Sequence, residues 1–246
     1  MKALVRAEFL KQRSIPTGRG LVAGMAALIG FAVLLHGLSL PADHLESRQD
    51  QLEFVFRWGA LFGTLFAALA GALSITGEFR HGTIRPTLLA TPRRINVLGA
   101  KLASGLVLGA GFGALAALLG AGVATLTLVG RSYDVALDTG DYALLLAGGS
   151  VSAALWGALG VGVGALVRQP VPAIAGLAIW LLFIENLLVA FVPRAGRLAP
   201  GAAGAALGGI DTGTLLAPAA GGALLAVYAV AVSGAAALAF TRRDVP

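Results

Sequence analysis

The stretch best suited to binding chemistry runs from Glu78 to Lys101 and reads EFRHGTIRPTLLATPRRINVLGAK. Five basic residues against one acidic residue give it a net charge of +4 when histidine is neutral. Four of the five are arginines, whose guanidinium groups donate paired hydrogen bonds to carboxylates. The stretch is therefore suited to docking on a soluble partner, although its charge alone does not distinguish this from a loop that only sets orientation; its candidate cationic contacts are Arg80, His81, Arg85, Arg93 and Arg94. The alternative is an ordinary basic loop that only orients the neighbouring segments.

Local signals divide this stretch into two helical pieces. Gly82 and Thr83 supply a turn and a cap, and a proline is tolerated within the first turn of the helix that follows. The apolar residues expected on one face of this short helix are Ile84, Leu88 and Leu89. The sequence thus predicts a short, arginine-rich helix that lies parallel to a membrane.

The second helical piece is expected to begin at Thr91 and Pro92, which form a cap and first-turn pair. It would continue through Lys101 into the next apolar run. Glu78 is expected to end the apolar run that precedes the stretch. The short helix would therefore be held between the ends of two long apolar helices.

Catalytic and metal-binding motifs do not occur in the sequence. No cysteine is present, which excludes disulfides, thiolate metal sites and cysteine nucleophiles. The three histidines form no H-E-x-x-H motif, and no lysine stands in a G-x-x-x-x-G-K-[ST] phosphate-binding loop. We therefore expect no cofactor bound by this chain and no ATP hydrolysis of its own.

One acidic residue, Glu185, lies within a long apolar run and is followed by Asn186. An ionisable residue inside a membrane is a candidate for a substrate pathway, here together with the adjacent amide. The other interpretation is that Glu185 only hydrogen-bonds a neighbouring segment. The sequence leaves both interpretations open.

The elements that must position these residues are membrane helices. Of the 246 residues, 57% are hydrophobic and only 12% are charged, and the mean hydropathy is +0.86. Six apolar runs of 20 residues or more are long enough to cross a hydrocarbon core as helices. They cover residues 21–40, 58–77, 102–129, 142–167, 171–192 and 219–240. The predicted fold is a single all-α transmembrane domain, residues 1–246, with a cytoplasmic loop at 78–101.

The distribution of basic residues sets the orientation. If the six runs span and the first enters from inside, thirteen of the eighteen basic residues fall in cytoplasmic segments and five fall outside. Positive residues resist translocation, so both termini are predicted to be cytoplasmic. The basic loops would then face anionic membrane lipids, and no nucleic-acid partner is required.

Two flanking segments are expected to carry short helices. Residues 1–20 predict a basic cytoplasmic helix at the membrane interface, with Ala3, Leu4, Ala7 and Leu10 on its apolar side. Residues 193–218 are rich in Gly, Ala and Pro, which favours a pair of short re-entrant helices on the outer side. Glycines spaced four apart recur in the spans and allow helices to approach closely, which could mark a contact between subunits, but a chain rich in glycine and alanine also produces this spacing by chance.

The loop pattern resembles the signature that follows the second span in ABC-2 type permeases, the membrane subunits of type V ATP-binding cassette exporters. The matching positions are Glu78, Gly82-Thr83, Leu88-Leu89, Thr91-Pro92 and Gly99-Ala100-Lys101. The basic amino-terminal helix, the six spans and the terminal Arg242-Arg243-Asp244 also resemble that family.

The resemblance implies a six-helix domain that forms half of a dimer in the cytoplasmic (inner) membrane of a bacterial cell. The partners it implies are a separate ATP-binding cassette ATPase subunit, which carries ATP and Mg²⁺, and a second permease copy or homologue. The loop would act as a coupling helix on the ATPase. Residues matching the family motif are Glu78, Gly82, Thr83, Arg85, Thr91 and Pro92; Arg80, His81, Arg93 and Arg94 are added from charge and position.

Two other classes of protein remain open at this stage. An ion-coupled secondary transporter usually contains buried acids that face a cavity near the middle of the membrane, and only Glu185 offers such a group. A structural or regulatory membrane protein would need none of these residues. The substrate and the direction of transport follow from no residue in the sequence.

Overall fold

The computed structural model describes residues 2–14, 16–41, 45–91, 93–210 and 215–242. These residues form helices and connecting turns, and no strand occurs among them. Six helices are long and apolar enough to cross a membrane, as the sequence predicts. They are the first span Pro16–Ser39, the second Arg48–Arg80, the third Arg94–Gly130, the fourth Thr139–Val167, the fifth Pro170–Phe191 and the sixth Pro218–Arg242.

Several helices are longer than their apolar runs because flanking polar residues continue them. The second span begins ten residues before its apolar run of 58–77, and the third span begins at Arg94, eight residues before residue 102. The fourth span starts with a capping box, in which the side chains of Asp138 and Asp141 each accept a hydrogen bond from the other's backbone N–H. It is followed by Arg168, which adopts a left-handed conformation with φ of 61°.

The second and fourth spans form the centre of the bundle. Within their most apolar windows, 67% and 61% of the residues are buried, whereas the figure for the fifth span is 17%. The central helices approach so closely that a Cβ added to Gly71 would lie 2.1 Å from the carbonyl oxygen of Gly157. A Cβ on Gly160 would lie 2.0 Å from the carbonyl oxygen of Ala68. Glycine is therefore required where these two spans cross.

The glycines spaced four apart serve mostly to pack spans of the same chain. Gly59 and Gly63 of the second span face the third span, and Gly105 and Gly109 of the third face the fourth. Gly20, at the start of the first span, has no atom within 4 Å of an added Cβ. These central pairs thus pack spans of one chain against each other, and they do not mark a contact between subunits.

The amino-terminal helix, Lys2–Ser14, packs against the beginning of the third span. Ala7 and Leu10 of the predicted apolar stripe are exposed, pointing away from the bundle. Val5 and Phe9, which interrupt that stripe, are partly buried, and Glu8 between them is buried. The helix therefore has two apolar sides, one packed in the bundle and one exposed.

At the opposite end of the bundle, polar side chains tie the connecting segments together. The guanidinium of Arg131 donates hydrogen bonds to the carbonyls of Gly37 and Leu40 at the end of the first span, at 2.7 and 3.0 Å. The buried amide of Gln51 donates to the carbonyls of Leu45 and Asp134, both at 2.8 Å. These bonds satisfy helix-end and loop carbonyls that would otherwise lack partners.

The segment 193–218 contains two short helices, Pro193–Gly196 and Pro200–Leu207, as predicted from its prolines. The second, called here the Pro200 helix, packs against the start of the sixth span. Residues 211–214 of the segment lie outside the described residues.

Candidate functional site

The loop between the second and third spans contains a short helix, Ile84–Ala90, called here the loop helix. The second span ends at Arg80, two residues beyond its predicted end at Glu78, and the chain turns at Gly82 with φ of +69°. This left-handed conformation suits glycine, so the predicted turn is present. Thr83 stands at the cap position, but its hydroxyl makes no capping hydrogen bond. The predicted helix is therefore present without the predicted side-chain cap.

The prediction that the third span begins at Thr91 and Pro92 is wrong by two residues. Thr91 follows the loop helix with an extended φ of −135°, and the first residue of the third span is Arg94, preceded by Arg93 at the cap position. A proline disfavours the helical conformation of the residue before it, which explains why Thr91 ends one helix instead of capping the next. Pro92 itself lies outside the described residues.

The three apolar residues of the loop helix do not share one role. Ile84 is buried against Leu98 and Phe240, and Leu88 is partly buried beside them. Leu89 is 84% exposed. The predicted common face is thus wrong, because residues four apart turn inward to the bundle while Leu89 points the other way. Ile84 anchors the loop helix to this chain.

The charged residues of the loop lie at its surface. Arg80, His81, Arg85 and Arg93 are exposed, and Arg94 is partly exposed. The His81 ring is hydrogen-bonded to the carbonyl of Gly77 at 2.8 Å. The exposed side of the loop therefore presents several positive side chains next to Leu89.

Beneath the loop lies an ion cluster of four residues: Glu8, Lys11, Glu78 and Lys101. Lys101 has no exposed side-chain area, and its ammonium group lies 2.8 Å from Glu8 Oε2 and 2.9 Å from Glu78 Oε1. The ammonium also donates hydrogen bonds to Glu8 Oε2 and to the carbonyl of Ser74, the latter at 3.1 Å. Lys101 is therefore held by two carboxylates and one backbone carbonyl.

Lys11 completes the ion cluster from the amino-terminal helix. Its ammonium group lies 3.0 Å from Glu8 Oε1 and 2.9 Å from Glu78 Oε1. Two lysines and two carboxylates give no net charge when all are ionised. The cluster joins the amino-terminal helix, the end of the second span and the start of the third span.

The charges of the cluster shift two pKa values outside the spans. Burial raises the pKa of Glu8, but the charge and hydrogen bond of Lys101, helped by Lys11, outweigh burial and leave that pKa below its usual value. Burial lowers the pKa of Lys11, but the hydrogen bonds and charges of Glu78 and Glu8 leave it above its usual value. Both groups are therefore held in their charged forms.

Of these four residues the sequence predicted only Glu78 as a coupling contact, although Lys101 also belongs to the pattern that resembles the family signature. One signal was available: the chain has only three lysines among eighteen basic residues, and two of them belong to this cluster. A second was the position of Glu8 between Val5 and Phe9 on a helix face that is otherwise apolar. The pairing itself joins residues 93 positions apart and leaves no local signal.

Glu185 and Asn186 lie at the other end of the bundle. The buried carboxylate of Glu185 accepts hydrogen bonds from the backbone N–H groups of Gly201 and Ala202, at 2.9 and 3.1 Å, and from the indole of Trp180. It thereby caps the Pro200 helix, whose own cap residue makes no side-chain bond. The side-chain N–H of Asn186 donates within the fifth span, to the carbonyl of Leu182 at 3.0 Å.

Both residues also line a cavity of about 310 Å³ between the second span, the fifth span and the Pro200 helix. The arrangement supports hydrogen bonding to a neighbour as the role of Glu185 and places Asn186 at a cavity wall. Among the described residues, no group of three metal-ligating side chains is present.

Six membrane-length helices, with an ion cluster beneath a basic loop at one end and a cavity at the other, define a multi-pass helical membrane protein. The family model described as ABC-2 family transporter protein matches residues 26–245. The chain therefore belongs to the ABC-2 transporter family, whose members are membrane transport components that associate with ABC ATPases. No curated protein matches the chain.

Proposed function

We propose that this chain is the permease subunit of an ATP-binding cassette exporter in the cytoplasmic membrane. The proposal includes a separate ATPase subunit that binds ATP and Mg²⁺ and docks on the loop 78–101. It also includes a second copy of this chain or a homologue, because six spans supply half of the membrane domain expected for the family. Membership of the ABC-2 family supports the transport role.

The observation that carries the proposal is the ion cluster at the base of the loop. Glu78 and Lys101 stand at the two ends of the loop, and their charged groups are 2.9 Å apart. Lys11 and Glu8 extend the same cluster to the amino-terminal helix. A force applied to the loop would therefore move the second span, the third span and the amino-terminal helix together.

The exposed residues of the loop supply the expected contact with the ATPase. Arg80, Arg85 and Arg93 suit carboxylates on a partner, and Leu89 suits a shallow apolar groove. Ile84 has the complementary task of fixing the loop helix to the bundle. Coupling thus needs outward contacts for the ATPase and inward contacts that pass its motion on.

The orientation proposed for the chain has both termini and this loop in the cytoplasm. Thirteen of eighteen basic residues support that orientation. The chain has no cysteine, so a single introduced cysteine gives an unambiguous label. Cysteines at Asp50 and Asp138 should react with an impermeant reagent from outside intact cells, and a cysteine at Arg80 should not.

Ion-coupled secondary transport fits the structure less well. The acid that suggests it, Glu185, is already engaged by two backbone N–H groups and an indole. Proton or sodium exchange at this carboxylate would have to break the cap of the Pro200 helix. A structural role for Glu185 needs no such rearrangement.

The substitution Arg93→Glu tests the docking surface. It reverses a charge on the exposed loop, and a carboxylate before the first turn of the third span suits the helix dipole. The variant should therefore fold normally but lose ATPase binding by about tenfold or more, as expected for a charge reversed at an interface. Co-purification with the co-expressed ATPase and substrate-stimulated ATP turnover measure the effect.

The matched control is Arg197→Glu, an exposed arginine beyond the fifth span, at the other end of the bundle. It should leave ATPase binding and turnover unchanged. Equal ATPase binding by the wild type and Arg93→Glu, with normal coupled transport, would contradict the assignment of this loop as the docking element.

A further inference from the structure

The cavity opposite the ion cluster has the size and lining of a small-molecule site. Its volume of about 310 Å³ lies at the lower end of the range for ligand pockets. One wall is a stripe of the second span and another is the fifth span, with the Pro200 helix closing the third side. Asn186 and Ala190 of the fifth span are exposed, so the cavity opens along that helix.

Both long walls of the cavity contain a π-helical turn. One covers Leu52–Phe56 in the second span and the other covers Trp180–Ile184 in the fifth. Arg57 and Glu185, the first residues after each turn, both line the cavity. Such turns are rare in helices and frequently occur at functional sites. The two π-helical turns are therefore a second observation, separate from the cavity volume, that indicates a functional site.

The two charged residues that follow the π-helical turns differ in their bonding. The carboxylate of Glu185 is satisfied by the Pro200 helix and Trp180. Arg57 makes no hydrogen bond or ion pair among the described residues; its guanidinium carbon lies 5.6 Å from the centroid of the Trp58 ring. Arg57 is partly buried and stands one residue before the apolar run 58–77, and a cation–π contact leaves its N–H donors available for an acceptor.

The nearest acid that acts on Arg57 through its charge is Glu53, four residues earlier in the second span. Glu53 lies about 6 Å nearer the end of that helix, where water solvates it more easily. Deeper in the cavity the lining is apolar, with Leu61, Leu181 and Val189. Among the described lining residues Arg57 is the one cation, beside the carboxylates of Glu53 and Glu185. Its donors can therefore bind an anionic group next to an apolar one.

We infer that this cavity binds an amphiphile with an anionic head group, which Arg57 holds while the apolar part lies against Leu61, Leu181 and Val189. The inference rests on the proposed permease function, because it names the class of substrate that this cavity would accept. Phosphate and sulfate esters and carboxylates share the required chemistry, since a guanidinium binds each through paired hydrogen bonds.

Direct binding to the purified chain in phosphatidylcholine nanodiscs tests the inference. Radiolabelled dodecyl phosphate is the probe, with empty nanodiscs subtracted for partition into lipid. Arg57→Gln should weaken binding about tenfold or more, the effect of losing hydrogen bonds to a charged group. Glu53→Gln, the control on the same wall, removes a negative charge and should leave binding equal or tighter. Ala190→Trp, at the exposed mouth, should weaken binding without changing any charge.

Four results would overturn the inference. Equal binding of dodecyl phosphate by Arg57→Gln and wild type would show that Arg57 does not hold the anionic group. If dodecyltrimethylammonium competes as strongly as unlabelled dodecyl phosphate, the cavity has no preference for an anionic head group. An equal loss in Glu53→Gln and Arg57→Gln indicates a zwitterion instead of an anion. Competition by inorganic phosphate at the same concentration as dodecyl phosphate removes the requirement for an apolar part.

This measurement is independent of the ATPase. Binding of dodecyl phosphate without any ATP-coupled transport would leave the site intact and contradict the permease function. ATP-coupled transport without binding of dodecyl phosphate would support the permease function and contradict the anion site. Thermal unfolding of each variant, compared with wild type, separates loss of the site from loss of the fold.

Discussion

Two buried carboxylates at opposite ends of the bundle, Glu8 and Glu185, are stabilised by different partners. Glu8 lies between the ammonium groups of Lys11 and Lys101, at 3.0 and 2.8 Å. Glu185 accepts hydrogen bonds from two backbone N–H groups of the Pro200 helix, sixteen and seventeen residues away in sequence. The first arrangement uses full charges, one from the same helix and one from the third span, and the second uses backbone dipoles from another short helix.

The difference corresponds to the tasks proposed for the two ends. Ion pairs at the loop end join three elements that must move together if the ATPase drives the loop. Backbone bonds at the cavity end fix one short helix against one span, without adding a second charge to the wall. The burial of an acidic residue therefore does not by itself show whether the residue couples helices through ion pairs or caps a helix.

The largest effect is expected from Lys101→Met. It removes the shared cation of the ion cluster and leaves two carboxylates with only Lys11, which should cost about 3–5 kcal/mol of unfolding free energy. Unfolding in mixed micelles measures the loss. The double variant Lys101→Met with Glu8→Gln removes a matched pair of charges and should recover part of it. A double variant as unstable as the sum of the single ones would mean that the two residues are not coupled.

A smaller effect is expected from Glu185→Gln at the other end. One of two accepting oxygens becomes an amide NH₂, which cannot accept from the Pro200 helix, so the expected cost is about 1–3 kcal/mol. The neighbouring Asn186→Ala, exposed and bonded only within its own span, should cost about 0.5 kcal/mol. Glu185→Gln should leave ATPase binding normal, and a loss of ATPase binding would break the proposed division between the two ends.

Gly82→Ala separates the geometry of the loop from the charges at its base. An added Cβ at Gly82 meets no atom within 4 Å, so the cost arises only from φ of +69° and should be about 1–2 kcal/mol. Gly77→Ala is the control, because it also has open space but lies within the helix, where alanine is favoured by about 1 kcal/mol. ATP-coupled transport should fall in the first variant and persist in the second.

The smallest effect concerns pH. Because the pKa of Glu8 is lowered in the folded protein, its contribution to stability is present above its unfolded pKa and is lost as pH falls through the folded value. The wild type should therefore lose stability in acid below about pH 4.5, the ordinary pKa of a glutamate side chain. Glu8→Gln should lose less over the same interval, and an identical acid dependence in both proteins would show that Glu8 does not titrate with folding.

The spans and the loop helix were predictable because local patterns determine them. Apolar runs of 20 residues or more predict membrane helices, and the Gly82 turn with the following helix appears where the sequence placed it. The proline pattern likewise predicted two short helices in the segment 193–218. In each case the signal lies within a few residues of the feature.

The ion cluster and the cap on the Pro200 helix depend on contacts between distant residues. Nothing near Lys101 in sequence indicates that Glu8 is its partner. The helical spacing of Ile84 and Leu89 does not reveal which of them faces the bundle, because the cluster that buries Ile84 contains Leu98 and Phe240 from distant parts of the chain. The local sequence pattern therefore predicts where the helices lie, whereas the packing of the helices decides which side chains face the bundle.

The third span is one unbroken helix of 37 residues, about 55 Å long. A hydrocarbon core is about 30 Å thick, so this helix is a stiff rod that extends well past it. Tilting such a rod by about 5° about one end displaces the other end by about 5 Å, close to one helical turn. If the proposed ATPase moves the loop, the Glu78 and Lys101 contact near the loop end would tilt this rod, and a small tilt would become a displacement of several ångströms at the far end.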